Sequence, residues 1–133
     1  RSLEQLLLQA DFVVIVVPLS DATRKLISSR ELKLMKPSAF LINIARGPVV
    51  DEAALIEALQ NGTLRGAGLD VYEKEPLSDS PLFKLPNALT LPHIGSATAE
   101  TREAMANRAL DNLRAALLGE RPRDLVNPQV WKG

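Results

Sequence analysis

The sequence predicts an α/β fold built on a parallel sheet. Three observations carry that expectation. Short, continuously apolar runs recur: Phe12-Val13-Val14-Ile15-Val16-Val17, then Ala39 to Ile44, Gly66 to Val71 and a shorter Ala88 to Leu91. Runs of this kind read as strands buried on both faces, as in a parallel sheet. Helix-capping signals with helical apolar stripes lie between them. The composition, 46% apolar and 24% charged over 133 residues, suits one globular domain and argues against disorder.

The elements follow in order. Ser2-Leu3-Glu4-Gln5 has the spacing of a capping box, and Leu3, Leu6 and Leu7 continue as a helical stripe. Asp11 ends that helix, the first strand begins at Phe12, and Pro18 stops it. Ser28-Ser29-Arg30-Glu31 is a second capping box, opening a short helix through Met35 that Pro37 ends. After the second strand, Asp51 caps a helix with the stripe Leu55, Ala58 and Leu59, and Asn61-Gly62 stops it. A loop rich in Pro, Ser and Asp runs from Glu73 to Asn87, and Pro92 stops the fourth strand. Ser96 or Thr98 caps a last helix with the stripe Met105, Ala109, Leu113, Ala116 and Leu117, ended by Gly119. The tail beyond Glu120 reads as irregular. Strands alternating with helices in this way imply βαβ units with helices on both faces of the sheet.

Composition also excludes functions. Sixteen basic residues balance sixteen acidic ones, so no global field draws the protein to nucleic acid or an anionic membrane. The absence of Cys removes disulfides, thiolate zinc sites and thiol nucleophiles. One His and no dense carboxylate cluster argue against a metal site. No apolar run approaches the ~18 residues of a membrane span, and the cytoplasm is expected. Arg121, Arg123 and Lys132 form no basic patch. Gly66-Ala67-Gly68 sits inside a strand and is no dinucleotide fingerprint. Ser96 lacks the context of a nucleophilic serine. The first residue is Arg1 rather than Met, and the expectation is a piece of a longer chain.

Open parallel sheets bind ligands beyond the carboxyl ends of their strands. Those ends deliver Val17-Pro18, Ala45-Arg46-Gly47, Asp70-Val71 and Pro92-His93, with Glu73 and Glu75 just past the third. His93 is the single histidine and therefore the one side chain that ordinarily titrates near neutrality. It is a candidate acid/base or a surface loop residue. Arg46 is placed to hold a carboxylate through two parallel hydrogen bonds, or it is a solvated arginine opening a loop. Glu75 is placed to orient an imidazole, and Asp70 to accept from a ligand amide or to cap a turn. An arginine, a histidine and a carboxylate together suit reduction of a 2-oxo acid. That reaction needs a cation for the carboxylate, a proton donor for the developing alkoxide and an anion that keeps the donor protonated. Other acid–base chemistry can use the same three residue types.

Three segments go further: Asn43-Ile44-Ala45-Arg46-Gly47-Pro48-Val49-Val50-Asp51, Gly68-Leu69-Asp70-Val71-Tyr72-Glu73-Lys74-Glu75-Pro76 and Pro92-His93-Ile94-Gly95-Ser96-Ala97-Thr98. In order and spacing they resemble signatures of the D-isomer-specific 2-hydroxyacid dehydrogenases. Ser80-Pro81-Leu82, the stretch Thr101 to Ala106 and Val126-Asn127-Pro128 look most like the glyoxylate/hydroxypyruvate/2-ketogluconate reductase branch.

The resemblance implies a Rossmann-like fold. Residues 1–118 would form the C-terminal half of a dinucleotide-binding domain, and 119–133 a tail returning to a substrate domain. It implies NADP or NAD as cofactor, with NADPH slightly favoured, a small 2-oxo or 2-hydroxy acid as partner, and a homodimer as the full-length protein. By resemblance Arg46 binds the substrate carboxylate and carbonyl, Glu75 pairs with the histidine, and His93 is the general acid/base. Asp70 would contact the nicotinamide carboxamide. Val17, Pro18, Ile44 and Ala45 would line the cofactor, joined by Arg46 and His93, with Gly95 and Ser96 beside nicotinamide and substrate. The Gly-rich turn that holds the pyrophosphate is not in this sequence, so these residues alone are expected to be inactive. A non-enzymatic NAD(H)-binding interaction module of the same fold is the alternative, and an unrelated autonomous α/β domain is a third reading.

Overall fold

Each strand-forming run becomes a strand, shorter at its ends than the apolar run suggests. In the computed structural model, which describes residues 1–131, β1 spans Phe12–Ile15, β2 Phe40–Asn43, β3 Gly66–Leu69 and β4 Ala88–Thr90. Lys132 lies outside the described residues. The strands form one sheet in the order β1-β2-β3-β4, all parallel, with Phe12 opposite Phe40 and Phe40 opposite Gly66. Three helices precede or join them: α1 (Leu3–Gln9), α2 (Ser29–Leu34) and α3 (Glu52–Gln60).

The local signals operate as written in the sequence. The Ser2 hydroxyl accepts from the Gln5 amide while the Gln5 side chain accepts from the Ser2 amide. Glu31 accepts from the Ser28 amide and hydroxyl, and burial does not overcome these bonds: Ser28 holds the Glu31 carboxyl below its usual range. The Asp51 side chain accepts from Ala54 N–H at 3.2 Å. Gly62 takes a left-handed φ of 68° past the end of α3, where Thr63 N–H reaches the Ala58 carbonyl.

The chain separates into two compact units, Arg1–Gly95 and the part from Ser96 onward. In the first unit the core lies on one face of the sheet. Val13, Ile15, Leu41, Ala67 and Leu69 pack there with Leu7 of α1, Leu32 of α2 and Leu55, Ala58 and Leu59 of α3. Burying each leucine contributes roughly 1.5–3 kcal/mol.

The expectation of helices on both faces is corrected here. Phe12 and Val14 alternate with buried neighbours and remain exposed, and Phe12 stacks on Phe40 with ring centroids 5.5 Å apart. The reason is topological. Strands added successively in one direction, each through a right-handed connection, place every connection on the same face.

In the second unit, α4 (Ala99–Leu117) is capped by Thr98, whose hydroxyl accepts from Thr101 N–H at 3.2 Å. Gly119, at φ 74°, ends it, with Glu120 N–H on the Ala115 carbonyl. The tail returns to this helix through a reciprocal pair: Asn112 donates to the Asp124 carboxylate at 2.8 Å and accepts from the Asp124 amide at 3.1 Å. The expected helix forms and its apolar stripe is exposed. No residue of α4 is buried, and Met105, Leu113 and Leu117 are exposed. Helical periodicity marks a face suited to burial without supplying what covers it. Among the described residues no helix is long and apolar enough to cross a membrane.

Candidate active site

The carboxyl ends of the strands gather the charged candidates of the first unit. His93 follows β4 with a left-handed φ of 54°, a conformation that costs a non-glycine residue about 1 kcal/mol or more. Two carboxylates hold it there. Glu75 Oε2 lies 2.7 Å from His93 Nδ1. Asp70 takes the backbone just beyond, with Oδ1 accepting from Ile94 N–H at 2.8 Å and Oδ2 from Gly95 N–H at 3.0 Å. The turn is thus gripped by its ring and by its amides.

Glu75 is fixed in its turn. Its Oε1 accepts from Tyr72 N–H at 3.0 Å, and the Glu75–Pro76 peptide is cis. Burial would push the Glu75 carboxyl up. The hydrogen bonds from His93 and Tyr72, with the charges of His93 and Arg46, outweigh it and hold the carboxyl below its usual range. Tyr72 is itself buried, and its hydroxyl donates to the Leu91 carbonyl at 2.8 Å, tying the third strand end to the fourth. A pocket of about 470 Å³ opens beside the pair, lined by Tyr72, Glu75, Leu77, Phe83, Leu91 and His93 among others.

Arg46 sits three residues beyond β2 in extended backbone, with Nη1 on the Ala45 carbonyl at 2.6 Å. Because the strands are parallel, Arg46 past β2, Glu75 past β3 and His93 past β4 lie beyond the same end of the sheet. A groove of about 550 Å³ is lined by Val17, Pro18, Ile44, Ala45 and Arg46, with Val16 and Leu19. These are the backbone positions expected to line a cofactor. Asp70 spends one acceptor site of each oxygen on the His93 turn, which leaves lone pairs for a ligand amide. Ser96 opens the second unit. Glu73 faces away from this chemistry. Its carboxylate accepts from Glu52 N–H at 3.2 Å and its amide donates to the Glu52 carboxylate at 3.0 Å, which caps α3.

The sequence assigns no role to Asn43 or Tyr72, and to Gly47, with Pro48, only a tight turn that fixes the direction of Arg46, which is the 3₁₀ turn at Gly47–Val49. Asn43 is 1% exposed and hydrogen-bonds the backbone of the Arg46 turn. Its signal is present in the sequence: it is the polar residue on the buried face of an apolar strand. Gly47 abuts the Tyr72 backbone, and a Cβ built there would lie 1.8 Å from the Tyr72 carbonyl carbon and oxygen. Tyr72 has no signal beyond its place in a motif.

The chain is similar to known proteins. A family model described as "D-isomer specific 2-hydroxyacid dehydrogenase, NAD binding domain" matches residues 1–95. The chain is 60% identical over 131 residues to a glyoxylate/hydroxypyruvate reductase B of Serratia proteamaculans, covering 98% of this chain and 40% of that protein. For the protein of the same name in Klebsiella pneumoniae the identity is 57% over 129 residues, covering 96% and 40%. A crystal structure of a Thermus thermophilus protein superposes with a TM-score of 0.89 at 50% identity, over 95% of this chain and 40% of that one. An NADPH-dependent glyoxylate/hydroxypyruvate reductase from Sinorhizobium meliloti, solved with NADP and malonate, gives 0.81 at 44% identity, over 86% and 36%. The chain spans about two-fifths of the length of the curated relatives it matches. A family model over residues 1–95, with relatives and structures similar along nearly the whole chain, means that it belongs to the D-isomer-specific 2-hydroxyacid dehydrogenases.

Proposed function

We propose that the protein carrying this chain reduces glyoxylate or hydroxypyruvate to the corresponding 2-hydroxy acid with NADPH or NADH. The observation that carries the reading is the 2.7 Å contact between His93 Nδ1 and Glu75 at the carboxyl end of a parallel sheet, where Arg46 follows β2. The names of the Serratia and Sinorhizobium relatives support turnover over a purely binding role. By family resemblance the reading extends to a homodimer in the cytoplasm.

The groove along Val17, Pro18, Ile44 and Ala45 fits a flat cofactor moiety, being apolar and set beyond two parallel strand ends. The bound nicotinamide would supply the hydride. The rest falls to this chain. Arg46 holds the substrate carboxylate and polarises the adjacent carbonyl. His93, protonated and oriented through Nδ1 by Glu75, gives the Nε2 proton to the developing alkoxide. Glu75 remains ionised and offsets the charge on the ring. Asp70 keeps the His93 turn closed and offers its free lone pairs to the carboxamide.

The reading is tested by grafting this chain in place of the matching segment of the Serratia reductase. NADPH and NADH oxidation is then followed with glyoxylate, hydroxypyruvate and 2-ketogluconate. Turnover of the first two is expected, and a stable graft that binds cofactor without oxidising it sinks the proposal.

Two variants bear on the roles. Arg46→Lys is expected to raise KM for the 2-oxo acid at least about tenfold, since a point charge cannot reproduce two parallel hydrogen bonds. An unchanged KM removes Arg46 from the carboxylate site. Glu75→Gln is expected to lower kcat for reduction about tenfold or more, since a neutral amide cannot offset the charge on the ring. In the parent the Glu75 carboxyl is held low, so this support is lost on the acid side only below the ordinary glutamate range of about 4.3, and that acid-side loss should be absent from the variant. An unchanged kcat counts against the pairing.

A further inference from the structure

We propose that Asn43 is a positioning residue for the substrate-binding arginine: its buried carboxamide, at the last position of β2, shapes the turn that aims Arg46. The proposal rests on the reading of Arg46 given above. Asn43 Oδ1 accepts from Ala45 N–H at 3.1 Å, and Nδ2 donates to the Arg46 carbonyl at 3.1 Å. One amide therefore satisfies a donor and an acceptor of the two residues it faces, an arrangement that no apolar side chain and no carboxylate of the same shape can reproduce.

The Arg46 carbonyl also accepts from Val49 N–H at 3.2 Å, so both of its lone pairs are committed and its peptide plane cannot rotate. The Asn43 backbone is anchored as well. Its carbonyl accepts from Asp70 N–H at 3.1 Å, which joins the Arg46 turn to the strand end bearing the residue that grips the His93 turn. This matters because an arginine side chain is long and has many rotamers. Aim of the guanidinium depends on where its Cα is held, and Asn43 supplies that constraint from beneath.

Asn43→Asp tests the proposal in the graft described above. The variant keeps the acceptor for Ala45 and sets a carboxylate oxygen against the Arg46 carbonyl. A rise of about tenfold or more in KM for hydroxypyruvate, with a smaller change in kcat, is expected, together with a matching loss of malonate affinity by calorimetry. Asn43→Ala removes both bonds without adding charge and is read the same way if the first variant fails to fold. The decisive comparison uses Arg46→Ala as background. There Asn43→Ala should alter kcat/KM less than about twofold, because the group it positions is gone. Equal losses in both backgrounds overturn the proposal, as does unchanged malonate affinity in a folded variant. If the graft turns over no 2-oxo acid, the functional reading fails by itself. Faster hydrogen exchange at Ala45 in Asn43→Ala would then still support the positioning role, and unchanged exchange would end it.

Discussion

Replacing His93 by Asn is expected to lower kcat/KM for reduction by 10² to 10⁴, about 3–5 kcal/mol of transition-state stabilisation. Asn is the informative choice because of the backbone. His93 has a φ of 54°, and Asn tolerates that region better than most residues. The turn can therefore persist, with Asp70 still accepting from Ile94 and Gly95. Cofactor affinity should stay within about threefold and the melting temperature within a few degrees. The loss then reports the missing proton donor rather than a collapsed loop. The checks are steady-state kinetics at saturating cofactor, a titration of NADPH fluorescence and a thermal melt. Turnover within tenfold of the parent in a folded variant would remove His93 from the proton transfer. A loss of cofactor binding as large as the loss of turnover would recast it as a binding residue.

The parts of the fold set by local chemistry were legible. Ser2, Ser28, Asp51 and Thr98 stand at helix starts, and Gly62 and Gly119 just past helix ends, because capping needs only a few neighbouring residues. Strand positions were legible for the same reason. The covering of the sheet was not. Phe12, Val14 and Ile15 are equally apolar, and an unbroken run does not say which face a partner meets.

At the site, the strand-end rule applied to the sequence singles out Arg46, Asp70 and His93. Of their supports, the tight turn at Gly47-Pro48 was legible and the contacts beneath it were not. Asn43 acts on a backbone two and three residues away, and Gly47 on one 25 positions distant. Neither contact has a periodic signature. A buried Asn on an apolar face was the one clue, since such a side chain must find partners or cost about 1–3 kcal/mol.

Gly47→Ala is expected to be at least as damaging as any change to a reacting side chain, and the damage should appear in stability as well as in rate. The added Cβ would sit 1.8 Å from the Tyr72 carbonyl carbon and oxygen and 2.4 Å from Glu73 N. Nothing there is the end of a flexible side chain that could swing aside. The neighbours are backbone, and that backbone is committed. Tyr72 N–H holds Glu75, the Tyr72 hydroxyl holds Leu91, and Glu73 exchanges hydrogen bonds with the start of α3. On the other side, Gly47 opens a short 3₁₀ turn, and its carbonyl accepts from Val50 N–H at 3.0 Å. Overpacking in a rigid site costs about 1–3 kcal/mol and more where no relaxation is open. A melting temperature lower by at least several degrees is therefore expected, with kcat/KM down 100-fold or more in the fraction that remains folded. A melt within a degree of the parent and activity within threefold would show that the two loops can separate without penalty. The reason to expect otherwise is that Arg46 and Glu75 stand on opposite sides of this one contact. A side-chain substitution removes one participant and leaves the others in place. The methyl group at Gly47 moves two of them apart, and with Glu75 goes the orientation of His93.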